Sequence, residues 1–265
     1  MDMCWIIDVD ILDQKHHYVI PYLRGLGYNV ICQSVTKDMP KLSDGVIYPY
    51  LGSFEGLRSL KKTNAKILTY GLDFQILRSY YMSYMDNSMF VNDKSIMTTW
   101  GMFVQNYEWY YELYNSSDIF IRPDSGKKTF TGQVINKNDI KTEIEFLSRY
   151  SSVMNEHHIW ISPKADIGRE YRFWISNQKV VASSEYSWNK DCIISKEIPA
   201  DLFKFAEKIA DLDFQVDYVY TVDLTHIAGI PKIIELNSFS CAGVYDCDVR
   251  ILLETISHDI LIGGI

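Results

Sequence analysis

Two short stretches near the C-terminus carry the densest chemistry in the chain. Tyr220-Thr221-Val222-Asp223-Leu224 and Ile233-Ile234-Glu235-Leu236-Asn237 both read as strands. Side chains alternate between the two faces of a strand. Ile234 and Leu236 therefore share one face and Glu235 and Asn237 the other, while Val222 and Leu224 oppose Asp223 and Thr221. With both apolar faces turned to a core, Asp223, Glu235 and Asn237 converge on the opposite surface. Three hard oxygen donors, with room for water and phosphate oxygens, suit Mg2+. Zinc would want His or Cys, and none lies in register. An ordinary solvated polar face is the competing reading, which E-x-N alone does not displace.

Two further stretches carry cations. Arg122-Pro123-Asp124-Ser125-Gly126-Lys127-Lys128-Thr129-Phe130-Thr131-Gly132 runs from a strand end into a loop of small residues, hydroxyls and lysines. Backbone N–H groups in such loops can cradle phosphate while Lys and Arg neutralise it. The order is not that of a Walker A loop, and a solvated turn fits it equally. In Gly168-Arg169-Glu170-Tyr171-Arg172-Phe173-Trp174-Ile175, one strand face carries Glu170, Arg172 and Trp174, and the other Tyr171, Phe173 and Ile175. Arg172 beside a carboxylate reads as a structural ion pair, or as a guanidinium that Glu170 holds rigid to meet a transferring phosphoryl group.

The elements that must position these residues follow from periodicity. Strand-like runs at 4–9, 28–32, 45–48 and 65–70, with a helical stretch over 18–26, predict a small parallel α/β sheet. Asp8 and Asp10 end the first strand, where open α/β sheets bind ligands; a solvated strand end is the alternative. Residues 80–94 turn polar and mark a boundary. A helix is expected over 98–114, its stripe of Trp100, Phe103, Tyr107, Tyr110, Tyr111 and Tyr114 serving as core. Strands follow at 119–122 and 158–162, and a hairpin at 171–184 turns on Asn177-Gln178. Helices are expected at 139–147, around Leu202, Phe205, Ile209 and Leu212, and from Val249 to Ile260. This second part reads as α+β.

Composition narrows the classes. The 265 residues are 47% hydrophobic and 23% charged, an ordinary globular balance. Thirty-four acids against 26 bases give a net charge of −8, the wrong sign for a general nucleic-acid or anionic-membrane binder. No apolar run reaches bilayer length, and Met1-Asp2-Met3-Cys4-Trp5 places an acid where a signal peptide carries positive charge. The five cysteines (Cys4, Cys32, Cys192, Cys241 and Cys247) show no CxxC or zinc spacing, so reduced thiols in a cytoplasmic protein are expected. Cys241 and Cys247 read as packing residues, the pairs His16-His17 and His157-His158 as surface residues, and Asp248 as a support behind the site.

In chain order the motifs reinforce one another: Arg-Pro, a lysine five residues later, Phe-x-Gly, then Arg-Glu-Tyr-Arg, then Val-Asp-Leu and Ile-Glu-Leu-Asn-Ser-Phe-Ser-x-Ala-Gly-x-Tyr. This order resembles the ATP-grasp superfamily over roughly residues 95–260. More narrowly it is similar to the clade named for two arginines and one lysine, whose members include phage proteins. The resemblance implies an α/β pre-ATP-grasp domain over 1–92, followed by an α+β ATP-grasp fold of two lobes clasping ATP over 93–265. It implies that Arg122 and Lys128, rather than the adjacent Lys127, contact the ATP phosphates. Arg122 stands where most ATP-grasp proteins carry lysine. Arg172 and Lys128 would be catalytic, Arg172 stabilising charge as phosphoryl moves. Asp223, Glu235 and Asn237 would hold Mg2+, and Trp160-Ile161-Ser162 would form the hinge against which adenine packs. The loop over 124–131 would close as a lid. The implied activity is an ADP-forming carboxylate–amine (or thiol) ligase working through an acylphosphate. Its partners would be a carboxylate and an amine acceptor: small molecule, peptide or protein. An ATP-binding regulatory protein and a kinase-like phosphoryl transfer remain alternatives.

Overall fold

The computed structural model describes residues 2–9, 18–68, 77–125, 129–186 and 197–263. Its described strands form three four-stranded sheets. The first contains β1 (Asp2–Asp8), β2 (Asn29–Gln33), β3 (Val46–Leu51) and β4 (Lys66–Leu68), in the order β2-β1-β3-β4. All its pairings are parallel. Trp5, Ile6 and Ile7 are all fully buried, because a central parallel strand is covered on both faces. Helices α1 (Val19–Gly25) and α2 (Phe54–Leu60) connect the strands. The second is capped by Ser53, whose Oγ accepts from Gly56 N at 3.0 Å.

A short helix α3 (Arg78–Met82) lies in the stretch leading to the second sheet, which comprises β5 (Ile96–Thr99), β6 (Asp118–Pro123), β7 (Gln133–Asn136) and β8 (His158–Pro163). Its order is β5-β8-β6-β7 and its pairings are antiparallel. Helices α4 (Trp100–Tyr114) and α5 (Ile140–Tyr150) cover it. The helix expected from residue 98 begins at Trp100, because Thr99 caps it through Oγ1 and Ile96–Thr99 pairs with β8 as an edge strand. Trp100, Phe103, Tyr110 and Tyr111 are buried in this sheet's core, while Tyr107 and Tyr114 pack at its margin.

The third sheet comprises β9 (Glu170–Ser176), β10 (Lys179–Tyr186), β11 (Val219–Ile227) and β12 (Ile230–Ser238), ordered β10-β9-β11-β12 and antiparallel. Its hairpins turn on Asn177-Gln178 (φ 48° and 60°) and Ala228-Gly229 (φ 51° and 78°). Two left-handed central residues match the twist of the flanking strands. Alternation assigns the faces. Phe173, Ile175, Val222 and Leu224 pack under α6 (Ala200–Ala210), and Trp174, Val219 and Phe239 pack on the other side. There they share one core with Met3, Trp5 and Ile7 and with the closing helix α7 (Val249–Ile262). Trp5 Nε1 donates to Ser257 Oγ at 3.1 Å, tying β1 to that helix. Among the described residues no helix is long and apolar enough to cross a membrane.

Candidate functional site

Strand register brings the singled-out residues together. Asp223 lies opposite Glu235 and Thr221 opposite Asn237, while Arg172 lies opposite Asp223 on its other side. Arg172 Nε donates to Asp223 Oδ1 and Nη2 to Oδ2, both at 2.7 Å, and both side chains are buried. The carboxylate partner of the arginine is thus Asp223 across the sheet, rather than Glu170 along the strand. Same-face neighbours on one strand stand about 6.5–7 Å apart, whereas cross-strand partners approach to about 4.5–5.5 Å. The guanidinium also reaches the Gly243 carbonyl at 3.5 Å and lies over the Tyr245 ring at 5.1 Å.

Arg122, the penultimate residue of β6 in the second sheet, reaches to the third, where its Nη2 donates to Glu235 Oε2 at 3.0 Å. Burial alone would lower its proton affinity. Glu235, Tyr81 and Asp124 outweigh that and hold it above the ordinary guanidinium value. Asn237 Nδ2 donates to Glu235 Oε1 at 2.8 Å and to Asp223 Oδ2 at 3.4 Å. The result is one continuous polar chain, Arg122–Glu235–Asn237–Asp223–Arg172, running through β6, β12, β11 and β9. Behind Arg122, Gly132 approaches closely. A Cβ there would stand 2.9 Å from the tip of the Phe120 ring, which would have to shift, and 3.3 Å from Arg122 Cβ, a tight contact.

Among the described residues no three His, Cys, Asp or Glu side chains cluster as a metal site. The chain instead offers two carboxylates and one amide oxygen. That donor set fits Mg2+, which takes one or two protein carboxylates and fills its remaining positions with water and phosphate oxygens.

The other expected residues divide. Trp160 stands opposite Arg122 and Ser162 opposite Phe120 in the β6–β8 pairing. The indole Nε1 of Trp160 and Oγ of Ser162 are buried without a hydrogen-bond partner among the described residues. Ile161 points the other way. Its side chain is fully buried in the second sheet's core and its carbonyl accepts from Tyr114 Oη at 2.9 Å, so its side chain does not face Arg122. Gly126, Lys127 and Lys128 lie outside the described residues. Two residues beyond them, Phe130 is buried in the core with Trp100.

Among the lesser candidates, Asp8 is not a solvated strand end. It is fully buried and accepts from Tyr50 Oη at 3.0 Å and Ser53 Oγ at 2.9 Å. Asp248 caps α7 through Ile251 N, which gives its carboxylate a structural use. Burial pushes the Cys247 thiol up to about 12, consistent with packing. Met154 N donates to His157 Nδ1 at 3.1 Å, and His158 is exposed. Asp10, His16, His17 and Cys192 fall outside the described residues. Sequence reasoning missed Arg78, a buried arginine on α3 that no motif marks.

Over residues 103–254, more than half of the 265-residue chain, the sequence matches the second family of ATP-grasp domains in the clade named for two arginines and one lysine. No curated protein matches. Among solved structures, the D-cycloserine synthetase DcsG is similar with a TM-score of 0.67 at 10% identity, covering 97% of this chain and 99% of that one. A RimK domain ATP-grasp protein from Sphaerobacter thermophilus gives 0.65 at 10% identity, over 95% and 98%. The D-alanine–D-alanine ligase from Bacillus anthracis, in complex with ATP, gives 0.59 at 15% identity, over 89% and 86%. At these identities the likeness is one of fold: an α/β segment followed by the α+β lobes of an ATP-grasp protein.

Proposed function

The chain belongs to the ATP-grasp clade named for two arginines and one lysine, and on that premise we propose that it is an ADP-forming carboxylate–amine ligase that uses Mg-ATP at the Arg122–Arg172 polar chain. The observation that carries this reading is the alternation of charge along that chain. Each arginine is matched to a carboxylate, Arg122 to Glu235 and Arg172 to Asp223. Mg2+ and a polyphosphate would form the complementary set, the carboxylates suiting the metal and the guanidinia the phosphate, and Arg122–Glu235, a single bond between two sheets, is the contact that their binding would remake.

Asp223, Glu235 and Asn237 would hold Mg2+, which would supply neutralisation of phosphate charge. Arg122 and Lys128 take phosphates, and Arg172 meets the phosphoryl group as charge builds on it. Trp160 and Ser162 border the adenine. The substrate carboxylate attacks the γ-phosphorus and ADP leaves, giving an acylphosphate. An amine (or a thiol) then attacks the acyl carbon, phosphate departs, and the nucleophile's proton passes to solvent or a base. The site must exclude water from that intermediate, and the loop over 124–131 is proposed as the lid. Residues 1–92 form the preceding domain in this reading and 93–265 the ATP-grasp part. The carboxylate and its acceptor are a small molecule, peptide or protein.

The test supplies Mg-ATP with panels of carboxylates and amines, following ADP, phosphate and product mass together. Release of ADP and phosphate in step with an amide product supports the ligase. A stable phosphorylated product would replace it with a kinase, and nucleotide binding without turnover across the panels with a regulatory protein.

A further inference from the structure

One buried cation stands behind the Arg122–Glu235 pair without belonging to the polar chain. Arg78 is 1% exposed. Its Nη1 donates to the Ile234 carbonyl at 3.5 Å and its Nη2 to the Asn92 carbonyl at 3.2 Å. Its guanidinium carbon lies 5.4 Å from the Phe90 ring centroid and 5.6 Å from that of Trp160. These neighbours flank the pair. Ile234 immediately precedes Glu235 in β12, and Trp160 stands opposite Arg122 between β8 and β6. Phe90 and Asn92 lie on the stretch that pairs with β12, where Val91 N donates to the Ile233 carbonyl at 2.9 Å. A single guanidinium therefore touches the connecting segment, the second sheet and the third.

The charge of Arg78 is poorly compensated. It forms no salt bridge among the described residues, and its Nε has no hydrogen-bond acceptor. Burial above all pushes its pKa down to about 10, against the opposing pull of Tyr81, Glu235 and Asp124. A buried charge without a tight counter-ion is a costly way to pack three segments together, since an apolar side chain of similar volume would do so without the desolvation penalty. What a guanidinium adds is a planar face for two rings and a fork for two carbonyls, both in fixed directions.

We propose that Arg78 is a positioning residue of the nucleotide site: it sets the approach of β8 to β12 so that Arg122 and Glu235 meet, and it governs nucleotide affinity through those two residues. This rests on the reading that Arg122 and Glu235 receive Mg-ATP. The experiment is a double-mutant cycle on the full chain, read by calorimetric titration with a non-hydrolysable ATP analogue and Mg2+. R78K keeps the charge and loses the planar fork, so it should weaken binding roughly tenfold in the otherwise unchanged protein. In an R122A background the same change should cost less than about threefold, because residues acting through one another are not additive. Equal cost in both backgrounds, or wild-type binding by R78K, overturns the proposal. Should R78K fail to fold by circular dichroism, F90L removes the ring that the Arg78 guanidinium lies over and enters the same cycle. There, coupling to R122A supports the proposal and additivity overturns it. R122A and E235Q alone report on the underlying reading. If neither weakens binding, that reading fails and takes the role of Arg78 with it; if both do and the cycle is additive, only the role of Arg78 fails.

Discussion

Arg172–Asp223 and Arg122–Glu235 are both arginine–carboxylate pairs, yet they do different structural work. The first joins neighbouring strands of one sheet through two 2.7 Å bonds, with side chains 7% and 0% exposed. The second joins two sheets through one 3.0 Å bond, with both side chains 19% exposed. A bidentate pair inside a sheet moves with that sheet and fixes both groups. A single bond between sheets depends on how the sheets approach, so it can be remade when they shift. The difference teaches which pair is scaffold as well as chemistry, and which is a contact that ligand can replace.

Breaking the buried pair should have the largest effect. Arg172→Ala leaves Asp223 charged and buried, which costs about 3–5 kcal/mol of stability by urea unfolding. It should also lower turnover by roughly a hundredfold or more, the range for a lost charge-stabilising donor. The double change R172M/D223L should regain most of the stability and none of the turnover, since an apolar pair of similar volume replaces a buried ion pair without penalty. If the double variant stays as unstable as the single, burial of a lone charge is not the cause.

Arg122→Ala should invert the pattern. Loss of one charged hydrogen bond between groups only 19% exposed costs about 1–3 kcal/mol of stability, less than loss of the fully buried pair. Affinity for a non-hydrolysable ATP analogue should still fall roughly tenfold, equivalent to about 1.4 kcal/mol. A stability loss as large as that of Arg172→Ala would erase the distinction between the pairs. The smallest effect should come from Tyr245, whose ring faces the Arg172 guanidinium at 5.1 Å. Tyr245→Leu should cost about 0.5–1 kcal/mol, the worth of an ordinary cation–π contact. Tyr245→Phe keeps the ring and should lose less than Tyr245→Leu in the same unfolding experiment.

The same contrast explains what the sequence revealed. Convergence of Asp223, Glu235 and Asn237 was legible because period-two alternation is local, and hydrophobic neighbours declare which face is buried. The partner of Arg172 was not, since Glu170 is nearer in sequence and only register places Asp223 opposite. Arg122 could be read as a phosphate cation, but its contact with Glu235 joins two sheets and depends on tertiary packing. Arg78 was invisible because its partners are two carbonyls and two rings from distant segments, which leave no pattern at any spacing. Among the elements, the parallel strands and the hairpin over Asn177-Gln178 were legible. The short strands β5 and β7 and the helices α2 and α3 were not, because four to seven residues carry too few periods to register.

The central claim is that carboxylates matched to arginines in this chain are the ones that take Mg2+ when nucleotide arrives. Calorimetric titration of a non-hydrolysable ATP analogue, with and without Mg2+, tests it in the wild type and in Glu235→Gln. In the wild type, Mg2+ should raise nucleotide affinity by roughly tenfold or more, a coupling typical of ligands that share a site. In folded Glu235→Gln, most of that gain should vanish, because one charge is gone from a site for a hard dication. An undiminished Mg2+-dependent gain in Glu235→Gln would contradict the account.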